Sequence, residues 1–220
     1  EGLNPGQSMD QVIERYIRTH PEVIEQSLQA LENRRAAEEQ QRQKSAIATH
    51  QQELLNDPSS PESGNQAGDV TVVEFFDYRC GYCKRAASAL TELQLRDAGV
   101  RIVYKDFPIL GETSELAAKA ALASHLQGKH QAFHEALLAA KDDLNKDQIS
   151  RIAHATGLDA ARLEQDMSRP EWQTVIERNR ALAKTLGISG TPAFIVGNEL
   201  VPGALDLKML QDLVAHKREK

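Results

Sequence analysis

The stretch FFDYRCGYCKR, Phe75 to Arg85, holds both cysteines of a 220-residue chain, separated by two residues. The run that leads into it, VTVVEFF from Val70 to Phe76, is rich in β-branched and aromatic residues and reads as a buried strand. Lys84 to Leu95, with Ala86, Ala87, Leu90 and Leu93 on one side, reads as a helix that begins at the cysteines. After Gly99 a second strand, VRIVYKDF (Val100–Phe107), completes a β-α-β unit, so the two strands are expected to be parallel. Cys80 therefore stands where a strand hands over to a helix. There, unpaired N–H groups and the helix macrodipole favour a thiolate, the form of cysteine that attacks disulfides. Cys83, one turn inside the helix, is near enough to close a small disulfide loop and to resolve a mixed disulfide.

Further along, Ser114 to Leu186 reads as helix almost throughout, with Gly128 and Gly157 as stops, Asn145 or Asp147 as a cap and Pro170 as a break. AFIV, the turn Gly197-Asn198 and ELV then form a hairpin signal, and Asp206 caps a final helix. Upstream, Ser8 and Gln11 make a capping box for a helix with Met9, Val12, Ile13, Tyr16 and Ile17 on one face. A second helix from Pro21 carries Val23, Ile24, Leu28 and Leu31. Glu32 to Ala46 has no large apolar residue and reads as a solvated rod or connector. A weak stripe, Ile47 with Leu54 and Leu55, precedes the Pro-, Ser- and Gly-rich DPSSPESGNQAGD. Residues 1–60 thus read as an appendage whose apolar stripe needs a partner, either another copy of the chain or, in the simpler reading, the domain that follows.

Residues 1–69 carry 6 Lys/Arg against 12 Asp/Glu and residues 70–220 carry 20 against 20, so no basic footprint for nucleic acid exists in either part. No apolar run approaches the length of a membrane span. Zinc would need four ligands, yet none of the seven histidines lies within 25 residues of Cys80. His130 and His134, with Glu135, have the spacing of a metal face on a helix but no further ligand, and helix packing is the simpler account. Trp172 is expected to pack in the helical block, and the run Ala117–Ala123 reads as close helix packing. No metal site is expected.

The strand-CGYC-helix, the inserted helical block and Gly190-Thr191-Pro192 before the hairpin resemble the thioredoxin superfamily, and within it the periplasmic DsbA-like thiol:disulfide oxidoreductases. FFDYRCGYCKR, DFPILG (Asp106–Gly111) and GTPAF are similar to the subgroup of suppressor-of-copper-sensitivity (ScsC) and Com1-like proteins. The resemblance implies an α/β thioredoxin-like fold: an N-terminal helical oligomerisation region and linker over 1–60, then a catalytic domain over 66–220 with a helical insertion at about 112–186. It implies that Thr191 precedes a cis-proline, Pro192, whose loop lies against Cys80. It matches Glu74 to a buried acid beneath the disulfide, suited to proton transfer with Cys83, although strand alternation could instead turn Glu74 outward. Gly81 and Tyr82, between the cysteines, would tune redox poise.

A dipeptide without histidine, paired with threonine before the proline, resembles the disulfide isomerases and reductases more than the dedicated oxidases. The expected activity is disulfide isomerisation or reduction in secreted proteins, with a dithiol oxidase and a Cu(I)-binding copper-tolerance module as alternatives. No cofactor is expected beyond a redox-active Cys80–Cys83 disulfide. The resemblance also implies a periplasmic location after removal of a signal peptide, consistent with a first residue that is not methionine. It implies a membrane redox partner, and a homo-oligomer through residues 1–60, a trimer rather than a dimer, that gathers several CGYC sites.

Overall fold

A computed structural model of the chain describes residues 8–219. It divides into two compact units, Glu1–Gln43 and Lys44–Lys220. In the first, helix α1 (Met9–Thr19) starts at Ser8, whose hydroxyl accepts the Gln11 N–H while the Gln11 side chain accepts the Ser8 N–H, the capping box expected from sequence. Helix α2 (Glu22–Thr49) runs on through Glu32 to Ala46 without interruption, because Glu, Gln, Arg, Lys and Ala are all strong helix formers. The boundary between the units falls within α2.

The second unit continues with α3 (Gln51–Leu55), strand β1 (Glu62–Gly64), β2 (Val70–Phe76), helix α4 (Gly81–Arg96) and β3 (Val100–Asp106). Five helices follow: α5 (Glu112–Ser124), α6 (His130–Ala139), α7 (Lys146–Ala155), α8 (Ala160–Met167) and α9 (Pro170–Thr185). The hairpin β4 (Ala193–Val196) and β5 (Glu199–Pro202) and helix α10 (Leu207–Arg218) complete it. The sheet order is β1-β3-β2-β4-β5; β2 and β3 are parallel and every other pair is antiparallel. Side chains alternate along β2, so Val70, Val72 and Phe76 join a core with α4, the five-helix block and α10, while Val73 and Phe75 join a second core with α9. Both faces of the sheet are thus covered, which is why its central strands read as unbroken apolar runs. Within the helical block, Trp172 is buried and its indole N–H donates to Asp166 O at 2.7 Å, and the alanines of α5 are buried against their neighbours.

Two expectations need correction. Glu62–Gly64, read as part of a boundary segment, is a strand paired with β3. Residues 44–60, assigned to the appendage, belong to the second unit: Ile47 and Leu54 are fully buried against Val73, Phe75 and Val103. The segment is also pinned by polar contacts, with Lys105 donating to Glu53 O and Ser60 Oγ and Arg101 to Leu55 O. The two apolar positions looked like a weak stripe because their partners lie on the far face of a sheet formed later in the chain.

A chain beginning at Lys44 is therefore expected to melt close to the full-length protein. One beginning at Pro61 forfeits the burial of Ile47 and Leu54, about 1.5–3 kcal/mol each, and should melt several degrees lower. Calorimetry on the two truncations decides it; equal midpoints would put the boundary back near residue 60.

Candidate active site

Cys80 is the N-cap of α4, delivered there by the turn that follows β2. Its N–H donates to Asp77 O at 3.0 Å and its carbonyl accepts the Lys84 N–H at 3.1 Å, which opens the helix. No side-chain oxygen caps the first turn, so the sulfur sits at a helix end whose N–H groups and macrodipole act on it. The antiparallel register of β2 with β4 sets Phe75 opposite Ala193 and so carries the preceding loop to the cysteines. There the Cys80 thiol donates to Thr191 O at 3.3 Å, across 111 positions of sequence. The Thr191–Pro192 peptide is cis, and Pro192 O accepts the Gly203 N–H at 2.8 Å.

The two sulfurs differ in access. Cys80 is 7% exposed and Cys83 is 0% exposed, and they are not bonded to each other. Burial pushes the Cys83 thiol well above its ordinary value, opposed by a backbone hydrogen bond with Asp77 and reinforced by the charge of Glu74. Between them, Gly81 borders open space, and Tyr82 stands exposed with the Arg85 guanidinium 4.1 Å from its ring centre.

Glu74 shares the face of Val72 and Phe76, and because both faces of the sheet are covered there is no outward side for it to take. It is buried, its Oε2 has no hydrogen-bond partner among the described residues, and burial, with the adjacent Cys80 second, raises its carboxyl to about 8. A second acid went unread in the sequence. Asp106, opposite Phe76 in the parallel register, is buried with both carboxylate oxygens unpartnered among the described residues, and burial raises it to about 8 as well.

His130 and His134 pack as core residues. Their rings stack at 5.4 Å, His134 lies 4.3 Å from the Tyr104 ring, and its Nδ1 is 2.8 Å from the Tyr78 hydroxyl. Burial holds His130 down to about 3 and His134 well below the usual imidazole range, so both are neutral. Asp77 was also missed, although its Oδ1 accepts the N–H of Arg79, two residues on. An Asp in a short turn before a helix is the local signal that could have flagged it.

A family model described as DSBA-like thioredoxin domain matches residues 71–215. Among solved structures, a thioredoxin-like oxidoreductase from Silicibacter pomeroyi is 48% identical with a TM-score of 0.75, covering 77% of this chain and 98% of that one. A linker-deletion mutant of Proteus mirabilis ScsC is 26% identical with a TM-score of 0.81, covering 99% of each chain. A periplasmic thioredoxin-like protein from Salmonella enterica serovar Typhimurium is 32% identical with a TM-score of 0.72, covering 77% of this chain and 96% of that one. The chain spans about a quarter of the length of the curated relatives it matches, proteins named Na(+)/H(+) antiporter NhaA; that from Salinispora tropica is 31% identical over 153 residues, 69% of this chain and 24% of that protein.

Proposed function

This chain belongs to the DSBA-like thioredoxin domain family, and from that premise we propose that it is a periplasmic thiol:disulfide interchange enzyme, chiefly an isomerase or reductase of cysteines in secreted proteins. The observation that carries the reading is the Cys80 sulfur, held at the start of α4, hydrogen-bonded to Thr191 O and the more accessible of the pair. The Cys80 thiolate attacks one sulfur of a substrate disulfide; a mixed disulfide forms and the other substrate sulfur leaves as a thiolate. In reduction, Cys83 gives its proton to the ionised fraction of Glu74 and attacks the Cys80 sulfur, releasing the second substrate thiolate and leaving the Cys80–Cys83 disulfide. A membrane redox partner returns the pair to thiols. In isomerisation, the freed substrate thiolate attacks another disulfide of the same substrate, and a later substrate thiolate displaces Cys80 unchanged.

Glu74 suits its role because its charge interacts with both Cys80 and Cys83, and proton exchange with a buried thiol needs a nearby group that titrates near neutrality. Gly81, Tyr82 and Thr191 favour isomerase or reductase over oxidase: none adds a positive charge that would hold Cys80 strongly as thiolate. The periplasmic assignment rests on the Salmonella relative of that description. Assembly as a trimer through the first unit is supported by Met9, Ile13, Tyr16 and Ile17 of α1 and Ile24, Leu28 and Leu31 of α2, all exposed. Such a row of large apolar side chains is stabilised by burial against copies of itself.

The test is reactivation of scrambled-disulfide ribonuclease in a glutathione buffer. The full chain is expected to accelerate recovery well beyond buffer alone, with light scattering giving three times 24.3 kDa. Oxidation of reduced ribonuclease without rescue of the scrambled form would replace the isomerase by an oxidase, and a monomer would remove the assembly.

A further inference from the structure

One buried acid beside the cysteines takes no part in sulfur exchange. Asp77 is 1% exposed, and its carboxylate accepts three backbone N–H groups: Arg79 at 2.8 Å on Oδ1, and Ile109 at 2.8 Å and Leu110 at 3.0 Å on Oδ2. Hydrogen bonds to an ionised acceptor are the stronger kind. Arg79 ties the same segment from its other side, its Nη1 donating to Leu110 O at 2.8 Å. The main chain of Asp77 meanwhile serves both cysteines, its carbonyl accepting the Cys80 N–H and a backbone hydrogen bond joining it to the Cys83 thiol. One residue thus locks the cysteine turn to Pro108–Gly111, the segment that leaves β3.

That segment is unusual in what it presents. Ile109 and Leu110 are 41% and 44% exposed, and Tyr82, on the first turn of α4, is 59% exposed. A loop with two large aliphatic side chains would ordinarily fold them inward. Here the Ile109 and Leu110 amides are held inward by Asp77, with their side chains left outside. Asparagine could not reproduce the arrangement, since its NH₂ would face an N–H donor.

We propose that Asp77 is a positioning residue that fixes Ile109 and Leu110 beside Cys80 as a contact for apolar side chains flanking the substrate cysteine. It then governs how tightly unfolded polypeptides are held rather than how fast sulfur reacts. This rests on Cys80 being the exchanging cysteine.

The experiment uses the full chain with two substrates, scrambled ribonuclease and oxidised glutathione. Asp77→Asn is expected to raise KM for ribonuclease about tenfold, equivalent to about 1.4 kcal/mol, with a smaller change in kcat. Arg79→Gln and Leu110→Ala should raise KM in the same direction, and Asp77→Asn combined with Leu110→Ala should do no more than the larger single change, because both act through one segment. Additive effects, or a fall in kcat at constant KM, would overturn the proposal. If Asp77→Asn does not fold, unchanged KM in both Arg79→Gln and Leu110→Ala overturns it equally. A wild-type chain inactive on both substrates would sink the exchange reading itself, and the proposal with it, whereas an active wild type with a pure kcat defect in the variants sinks the proposal alone.

Discussion

Serine in place of Cys80 is expected to reduce disulfide exchange to the rate of buffer thiols, while serine in place of Cys83 leaves an enzyme that attacks once and then stalls. The asymmetry follows from access and position. Cys80 reaches the surface at the N-cap of α4, whereas Cys83 is wholly enclosed one turn inside the helix, so an incoming disulfide can meet only the first sulfur. A hydroxyl at position 80 remains protonated at neutral pH and cannot attack, so no step of the cycle begins. With Cys83 replaced, the first displacement still proceeds, but no internal thiol resolves the mixed disulfide. Non-reducing electrophoresis with mass spectrometry should find Cys83→Ser carrying substrate through Cys80, a species that reductant removes. Turnover by Cys80→Ser, or a trapped adduct on Cys83 in that variant, would reverse the roles.

The parts of this site that were legible in the sequence are those whose signals are local. Strand propensity in Val70–Phe76 and in Val100–Phe107 and the helical face from Ala86 to Leu93 specify β2, β3 and α4, and the spacing of the cysteines marks the site between β2 and α4. Ser8 and Asp206 each cap a helix through their own side chains, as their positions in the sequence implied, and of the two candidates Asn145 and Asp147 it is Asn145 that does so. What escaped was fixed at a distance. β1 has no strand propensity of its own in Glu62-Ser63-Gly64 and exists because β3 offers an edge to pair with. Ile47 and Leu54 have too few apolar neighbours in sequence to announce a core. Asp77 and Asp106 are acids at strand ends, where a solvated loop residue is the ordinary expectation. Their burial follows from the covering of both sheet faces, which no window of eleven residues contains. Glu74 lies between: its strand was clear, but its direction depended on whether the strand was covered on one side or two.

Those buried groups set an expected pH profile of stability for the reduced protein. Glu74 and Asp106 titrate near 8 when folded against ordinary values of 4.5 and 3.8, and His130 titrates near 3 against 6.5, with His134 lowered too. Each proton held by one state and not the other changes stability by about 1.4 kcal/mol per pH unit. Between about pH 6.5 and 8 the folded chain holds two carboxyl protons that the unfolded chain lacks, so stability falls as pH rises. Between about 4.5 and 6.5 the unfolded chain holds two imidazole protons in their place, the difference cancels and stability is level. Below about 4 the unfolded chain has protonated carboxyls and imidazoles together, and stability falls as pH falls. Thermal melts from acid to mildly alkaline pH are therefore expected to be highest on a plateau on the acid side of neutrality. Glu74→Gln deletes one carboxyl proton, which tilts the plateau into a peak near pH 6.5. A wild-type midpoint that stays level from pH 5 to pH 8 would mean that water reaches these four side chains, and that Glu74 stands too far into solvent to hold a proton for Cys83.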